Sequence, residues 1–175
     1  FFLEKFHPLL LNIKFYKILR KINSCSGPTF VYSGFVEFGG LKSFKKVLKA
    51  HGYSDYIKYG EGRKRYAIMT GHESVDLKDE IKAVYNQPAN INGSKLKVLL
   101  ISPSIKEGHS FKNVRQVHIL EPYWNWSRIL QIIGRSSRYC SHKDLEEEKR
   151  EVKVYIYVAT HPLEKETVDE YIAKL

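Results

Sequence analysis

Apolar positions recur along this chain in two periods, and the two alternate. Phe15, Ile18, Leu19 and Ile22 fall three and four apart with Lys14, Lys17 and Lys21 between them, which predicts an amphipathic helix capped by Asn12. SCSGP ends that helix, and TFVYSGF follows as a buried strand. GGLKSFKKVLKAHG predicts a second helix with Leu41, Phe44 and Leu48 inward and Gly52 as its stop. DYIKY and RYAIMTG are strand candidates on either side of the basic loop GEGRK. DLKDEIKAVYN reads as a helix carrying Leu77, Ile81, Val84 and Tyr85, and QPANINGS as a polar linker before the apolar strand KLKVLLIS. QVHIL, WSRILQIIG, VKVYIYVA and EKETVDEYIAKL then read as strand, helix, strand and helix.

Strands that are apolar on both faces and alternate with helices predict an α/β fold, with a central, mostly parallel sheet covered on both sides. There is no internal repeat, and we expect one domain over 12–175 after an extension over 1–11. Such sheets place their chemistry at the carboxyl ends of the strands. That puts YSGF, TGHE, SPSIKEGHSF and EPYWN on one rim.

Composition supports a folded unit: 175 residues, 43% hydrophobic and 13% aromatic. A start at Phe1 rather than methionine reads as a piece of a longer protein. Cys25 and Cys140 stand in no metal-binding spacing, which favours a reducing, intracellular setting. No stretch approaches the roughly 20 apolar residues of a membrane span, and the N-terminal apolar run lacks a signal-peptide pattern, so no membrane association is expected. Charge is uneven. Residues 1–75 hold thirteen Lys/Arg against five Asp/Glu, and the remaining hundred hold sixteen against fourteen. A surface this basic suits a polyanion, nucleic acid before anionic membrane, or is simply a solvated lysine face.

Most catalytic patterns are missing. The seven histidines show no metal-binding spacing, and TGHES crowds Ser, His and Glu in sequence where a triad would draw on distant segments. No Gly-x-x-x-x-Gly-Lys-Ser/Thr phosphate loop occurs; GGLKS and GEGRK have the wrong spacing, and DLKDE follows no apolar strand that would make it a magnesium site. The chain therefore lacks parts that nucleotide hydrolysis needs. What remains is QIIGRSSR. Gln131, Gly134, Arg135 and Arg138 are spaced to share one helical face, and the glycine would let another surface approach. Two permanently charged planar forks fit phosphate oxygens, as an arginine finger does. Alternatively, the arginines complement a helix end or pair with Glu146, Glu147 and Glu148.

QIIGRSSR resembles motif VI, Gln-x-x-Gly-Arg-x-x-Arg, of superfamily 2 helicases and translocases. ISPSIKEGHSFKNVRQVHILEPYWN is similar to their motif V with the strand and Trp-Asn turn of the Snf2-like branch, and FVYSGF and RYAIMTG stand where motif IV and the strand after it belong. The wording EGHSF, EPYWN and QIIGRSSRYCSH is most similar to helicase-like ATPases of large cytoplasmic DNA viruses. That group includes the poxvirus-type nucleoside triphosphatase I and the small subunit of the early transcription factor. The resemblance runs from about residue 12 to residue 160.

The resemblance implies a second, C-terminal RecA-like lobe, a three-layer sandwich. ATP and Mg2+ would be held mainly by an N-terminal lobe, so the isolated chain is expected to be inactive. Arg138 would be the finger on the terminal phosphate and Arg135 a second phosphate contact, with Gln131 and Gly134 at the nucleotide interface. Glu107 and Gly108 would lie near the ribose, while His109 departs from the family pattern. Tyr32, Ser33, Gly34, Thr70, Gly71 and Ser102 would contact the nucleic-acid backbone, with Lys42, Lys45 and Arg63 as electrostatic helpers. Each also has a plainer role, as a strand-end or solvated residue. Trp124 and Trp126 are expected to pack behind motif VI, with base stacking as the alternative.

The implied protein is an ATP-driven helicase or translocase on nucleic acid, DNA before RNA, partnered by its own first lobe, with viral transcription machinery as a further candidate partner. Its place would be inside the cell, and for a virus the host cytoplasm, with the virion as a further candidate. A non-catalytic nucleic-acid-binding or partner-docking module is the rival.

Overall fold

The computed structural model describes residues 13–104, 110–160 and 165–174. Along the chain run α1 (Ile13–Ser24), β1 (Thr29–Tyr32), α2 (Leu41–Ala50), β2 (Ser54–Asp55), α3 (Tyr56–Tyr59), β3 (Arg65–Met69), α4 (Val75–Tyr85) and β4 (Val98–Ile101). After them come β5 (Gln116–Ile119), α5 (Trp126–Ser136), β6 (Lys153–Ile156) and α6 (Val168–Lys174). The strands form one sheet in the order β2-β3-β4-β1-β5-β6, and every pairing is parallel. The expectation of a mostly parallel sheet is thus met by a wholly parallel one among the described strands.

Alternation along the strands builds two cores. Phe30 and Tyr32 of β1, Ala67 and Met69 of β3, and Leu99 and Ile101 of β4 face α4 and α5, meeting Ile81, Tyr85, Ile129 and Ile132. Val31, Tyr66, Ile68, Val98 and Leu100 face the other way, against Phe15, Ile18 and Ile22 of α1 and Phe44 and Leu48 of α2. Both faces are buried, so each strand must be apolar throughout, which is why the strands read as unbroken apolar runs. An aromatic cluster closes the first core: Phe30 meets Phe111 edge-on at 4.8 Å between ring centres, and Phe111 meets Tyr85 at 5.6 Å.

One element differs from expectation. DYIKY is a strand only at Asp55; Tyr56–Tyr59 turn into the short helix α3. The Asp55 carboxylate caps it by accepting from the Ile57 amide at 3.2 Å, and Gly60, at φ 67°, ends it. Side-chain capping gives the backbone a local alternative to the sheet ladder. The Asn12 cap lies outside the described residues.

His118 on β5 is fully buried, with Nδ1 2.9 Å from the Tyr157 hydroxyl and Nε2 3.0 Å from Gln116 Oε1. Burial, seconded by the nearby Lys21 charge, pushes its pKa down to about 3. The folded protein therefore refuses a proton that the unfolded chain accepts below about pH 6.5. Stability due to this group is complete above that pH and is lost as pH falls from about 6.5 towards 3, by up to about 1.4 kcal/mol per unit. Urea unfolding at pH 7 and pH 5 should show this loss, and His118→Gln should flatten it; an equal acid loss in the variant would refute the assignment.

Candidate functional site

The strand ends at the carboxyl rim are in register. Tyr32 lies beside Ile101, and Ile101 beside Met69, so Ser33, Ser102 and Thr70 occupy one row across β1, β4 and β3. The chain crosses from β4 past β1 to β5, so the strand order reverses at β1, where ligands of such sheets collect.

The row is buried, and its hydroxyls have partners inside the protein. Ser33 Oγ lies 2.9 Å from Glu121 Oε1 and accepts from the Phe35 amide at 3.0 Å. Thr70 donates to Glu73 at 2.8 Å, and Ser102 Oγ accepts from the Ser104 amide at 3.4 Å. Tyr32 is buried too, and desolvation raises its phenol pKa. These hydrogen bonds tie the strand ends to the loops that follow them. Gly34 and Gly71 sit tight against neighbours: a Cβ on Gly34 would stand 3.3 Å from Glu121, and one on Gly71 3.2 Å from Ser104.

Glu121 did not stand out in the sequence. Following β5, it accepts from Ser33 and from the Gly34 amide, tying the loop after β1 to the loop after β5. Burial raises its pKa, opposed by those hydrogen bonds and by Lys14.

A groove of about 470 Å³ runs beside this row, lined by Lys42, Lys45, Lys46, Lys49, Thr70 and His72 among others. Lys42 pairs with Glu37, and Lys45 lies 3.1 Å from Asp55. Among the described residues no carboxylate pairs with Lys46 or Lys49, which are the freer cations. Their i, i+3 spacing on α2 was visible, but nothing in the sequence set them above the other lysines. Arg63 is not part of this face. It precedes the amino end of β3, roughly 20 Å along the strand direction from Thr70. A loop residue's sheet edge depends on strand direction, which composition does not reveal.

Helix α5 delivers the arginine motif, but not on one face. The helix ends at Ser136, so Gln131, Gly134 and Arg135 share it while Arg138 lies in the turn beyond. The Ser136 and Ser137 hydroxyls donate to the Ile133 carbonyl at 2.7 and 3.0 Å, which also takes the last helical bond, from the Ser137 amide. One other segment, at Ser110 and Phe111, bonds to both residues. Arg138 donates to Ser110 Oγ at 2.6 Å, and the Arg135 carbonyl accepts from the Phe111 amide at 3.0 Å. Asn86 fixes that segment in turn, donating to the Ser110 carbonyl and accepting from the Lys112 amide.

Arg135, Gln131 and Arg128 line a small cleft of about 50 Å³ with Tyr32 and Ser102. Arg138 opens on a wider hollow of about 650 Å³ with Tyr139, His142 and Arg150. Gly134 has open space where a side chain would stand. The turn after Arg138 is pinned by His142, whose Nε2 lies 2.7 Å from the Val114 carbonyl, an anchor that no residue spacing marks.

Trp124 and Trp126 do not pack behind motif VI: they are 61% and 49% exposed. The inner face of α5 is already filled by Ile129 and Ile132, which leaves no room for an indole. Glu107, Gly108 and His109 lie outside the described residues. Among the described residues, no group of three His, Cys, Asp or Glu could hold a metal ion, and no helix is long and apolar enough to cross a membrane.

A wholly parallel sheet with helices on both faces is the architecture of a RecA-like lobe, and it carries an arginine-bearing helix end and a lysine groove. The profile of the helicase conserved C-terminal domain matches residues 16–140, and the chain belongs to that family. It is 54% identical over 157 residues to an Acanthamoeba polyphaga mimivirus protein named "Putative ATP-dependent RNA helicase R563", matching 90% of this chain and 27% of that one. It is 30% identical over 177 residues to an African swine fever virus protein named "Termination factor NPH-I homolog", matching 81% of this chain and 25% of that one. The chain thus spans about a quarter of each of these relatives. The fold matches the crystal structure of the C-terminal part of the Fun30 ATPase domain with a TM-score of 0.69, at 14% identity, over 93% of this chain and 44% of that one. The helicase C-terminal lobe and its similarity to viral proteins are therefore as the motifs implied.

Proposed function

We propose that this lobe completes the nucleotide site of an ATP-driven nucleic-acid translocase or helicase, with Arg135 and Arg138 supplied to phosphates that a first lobe holds. The carrying observation is that this segment is moored through the Arg138 guanidinium to Ser110 and through the Arg135 carbonyl to Phe111, in a sequence with no phosphate loop. A guanidinium stays charged at any physiological pH and offers parallel donors to phosphate oxygens. Arg138 would act on charge that develops in the transition state, and Arg135, Gln131 and the open space over Gly134 would receive the nucleotide-bearing lobe. Mg2+ belongs to that other lobe in this scheme. Glu107 and Gly108 would lie beside the ribose.

The nucleic acid would cross the rim over Gly34, whose own N–H is held by Glu121, touching the backbone N–H of Gly71 and the cations of α2. Supporting this are the in-register row Ser33, Ser102 and Thr70 and the adjoining lysine groove. Contacts of this kind read phosphate, not base edges, so binding is insensitive to sequence and sensitive to salt. We take DNA as the first substrate, in line with the Snf2-like motifs, with RNA as the other arm of the test, and a viral transcription or genome-handling process inside the host cell as the setting.

In the full-length protein, ATP hydrolysis should rise on adding single-stranded or duplex nucleic acid. The double substitution Lys46→Ala, Lys49→Ala should lower the slope of log affinity against log salt by about 1.4 to 1.8, while the turnover number at saturating nucleic acid holds. An unchanged slope would remove α2 from the binding face. Nucleic-acid binding without any ATP turnover would leave a docking module in place of a motor.

A further inference from the structure

Single exposed apolar side chains are ordinary, whereas clustered exposed aromatics mark a binding surface. Phe38 is 97% exposed, Phe35 65% and Trp124 61%. They stand on the two loops that follow β1 and β5, neighbouring strands in register from Thr29 and Gln116 to Tyr32 and Ile119. Those loops therefore leave the sheet about 5 Å apart, and Glu121 ties one to the other through Ser33 and Gly34.

Both loops are held stiffly. After β1, the Leu41 amide donates to the Phe35 carbonyl at 3.0 Å and the Lys42 amide to the Val36 carbonyl at 2.8 Å, folding the chain back on itself. Gly39, at φ 73°, makes the turn, and a Cβ on Gly40 would strike the Phe35 carbonyl at 1.9 Å. Phe38 is pushed outward at the tip. After β5, the Trp124 ring lies 5.7 Å from Tyr123, and the Arg128 guanidinium sits 4.6 Å over the Tyr123 ring while donating to its hydroxyl at 2.8 Å. Trp124 thus leans, tilted by 30°, on a tyrosine ring that Arg128 holds in place. A rigid aromatic face loses little freedom when it binds another ring.

We propose that Phe38 and Trp124 form a base-stacking platform for the unpaired bases of a single-stranded nucleic acid whose phosphates lie on the neighbouring lysines of α2. This rests on the nucleic-acid reading above and adds a substrate form to it. The aromatics alone would also suit a protein partner. The lysine groove beginning four residues beyond Phe38 favours a polyanion that carries flat rings. Every base has a π-face, so stacking tolerates any sequence. A duplex keeps those faces covered, so the platform distinguishes unpaired strands from paired ones.

The test uses the full-length protein and three labelled oligonucleotides of one length: oligo(dT), the same strand made abasic, and a blunt duplex. Wild type should bind oligo(dT) more tightly than the abasic strand. Phe38→Ala and Trp124→Ala should each weaken oligo(dT) binding by about 5- to 100-fold while shifting the abasic strand and the duplex less than twofold. Trp124→Phe should recover most of the loss. Equal losses on oligo(dT) and the abasic strand would overturn the platform. So would a wild type that binds the two alike, although the backbone grip would then stand. Unchanged binding to all three with an altered sedimentation mass would overturn it in favour of a protein-docking patch. If wild type binds no nucleic acid, the functional reading fails first.

Discussion

Replacing Arg138 with alanine in the full-length protein should lower its ATP turnover number by about 10³-fold or more, the scale on which arginine fingers act. Nucleic-acid affinity should remain within a few-fold of wild type, because the lysine groove is built from α2 and β3 rather than from α5. Arg138 is exposed and makes its hydrogen bond to Ser110, so the substitution leaves the two cores intact. Arg138→Lys keeps the charge but loses the planar fork, and should recover only a small part of the rate. Arg135→Ala should also impair turnover. Ser110→Ala, which frees Arg138 from its mooring, should lower turnover less than removing the guanidinium. The 175-residue chain alone should hydrolyse no ATP above background. Near-normal turnover by Arg138→Ala would remove the finger role, and hydrolysis by the isolated chain would contradict a site shared between two lobes.

The second large effect concerns stability. Phe111→Ala should destabilise the lobe by about 3 to 5 kcal/mol, the range for emptying a large aromatic from a core. Phe111 is fully buried, and its ring is packed edge-on between Phe30 and Tyr85. Its amide also holds the Arg135 carbonyl, so the loss would loosen the end of α5 as well as open a cavity. In a domain of this size the melting temperature should fall by roughly 10 °C, readable by circular dichroism. Phe111→Leu, which refills much of the space, should give back more than half of the loss. A drop below about 1 kcal/mol for Phe111→Ala would mean that this cluster is not the keystone of its core.

Much of the fold was legible because burial on both faces forces a recognisable composition. The runs around Phe30, Leu99 and Val117 are apolar at consecutive positions, and the helical runs around Ile18, Phe44, Ile81 and Ile129 repeat at three and four. Tyr56–Tyr59 was misread because four residues cannot display a period, and the Asp55 cap decided between strand and turn. Arg138 falls two residues beyond the end of α5 at Ser136, a boundary that residue spacing does not register. The site was legible as a motif and only partly as a geometry.

The chain order of strands and helices, the parallel sense of the sheet and the presence of a Gln-x-x-Gly-Arg-x-x-Arg element were determined by the sequence itself. Periodicity and residue chemistry act over a few neighbouring positions, and those are written in order along the chain. Tertiary structure alone decided that Ser110 would meet Arg138 across 28 positions and Glu121 would reach Ser33 across 88. It also placed Arg63 on the far edge of the sheet from Thr70 and left Trp124 facing solvent. Such outcomes depend on which strand lies beside which, and on what has already filled the inner face of each helix. "QIIGRSSR" specifies two arginines; the segment that holds the Arg138 guanidinium comes from elsewhere in the fold.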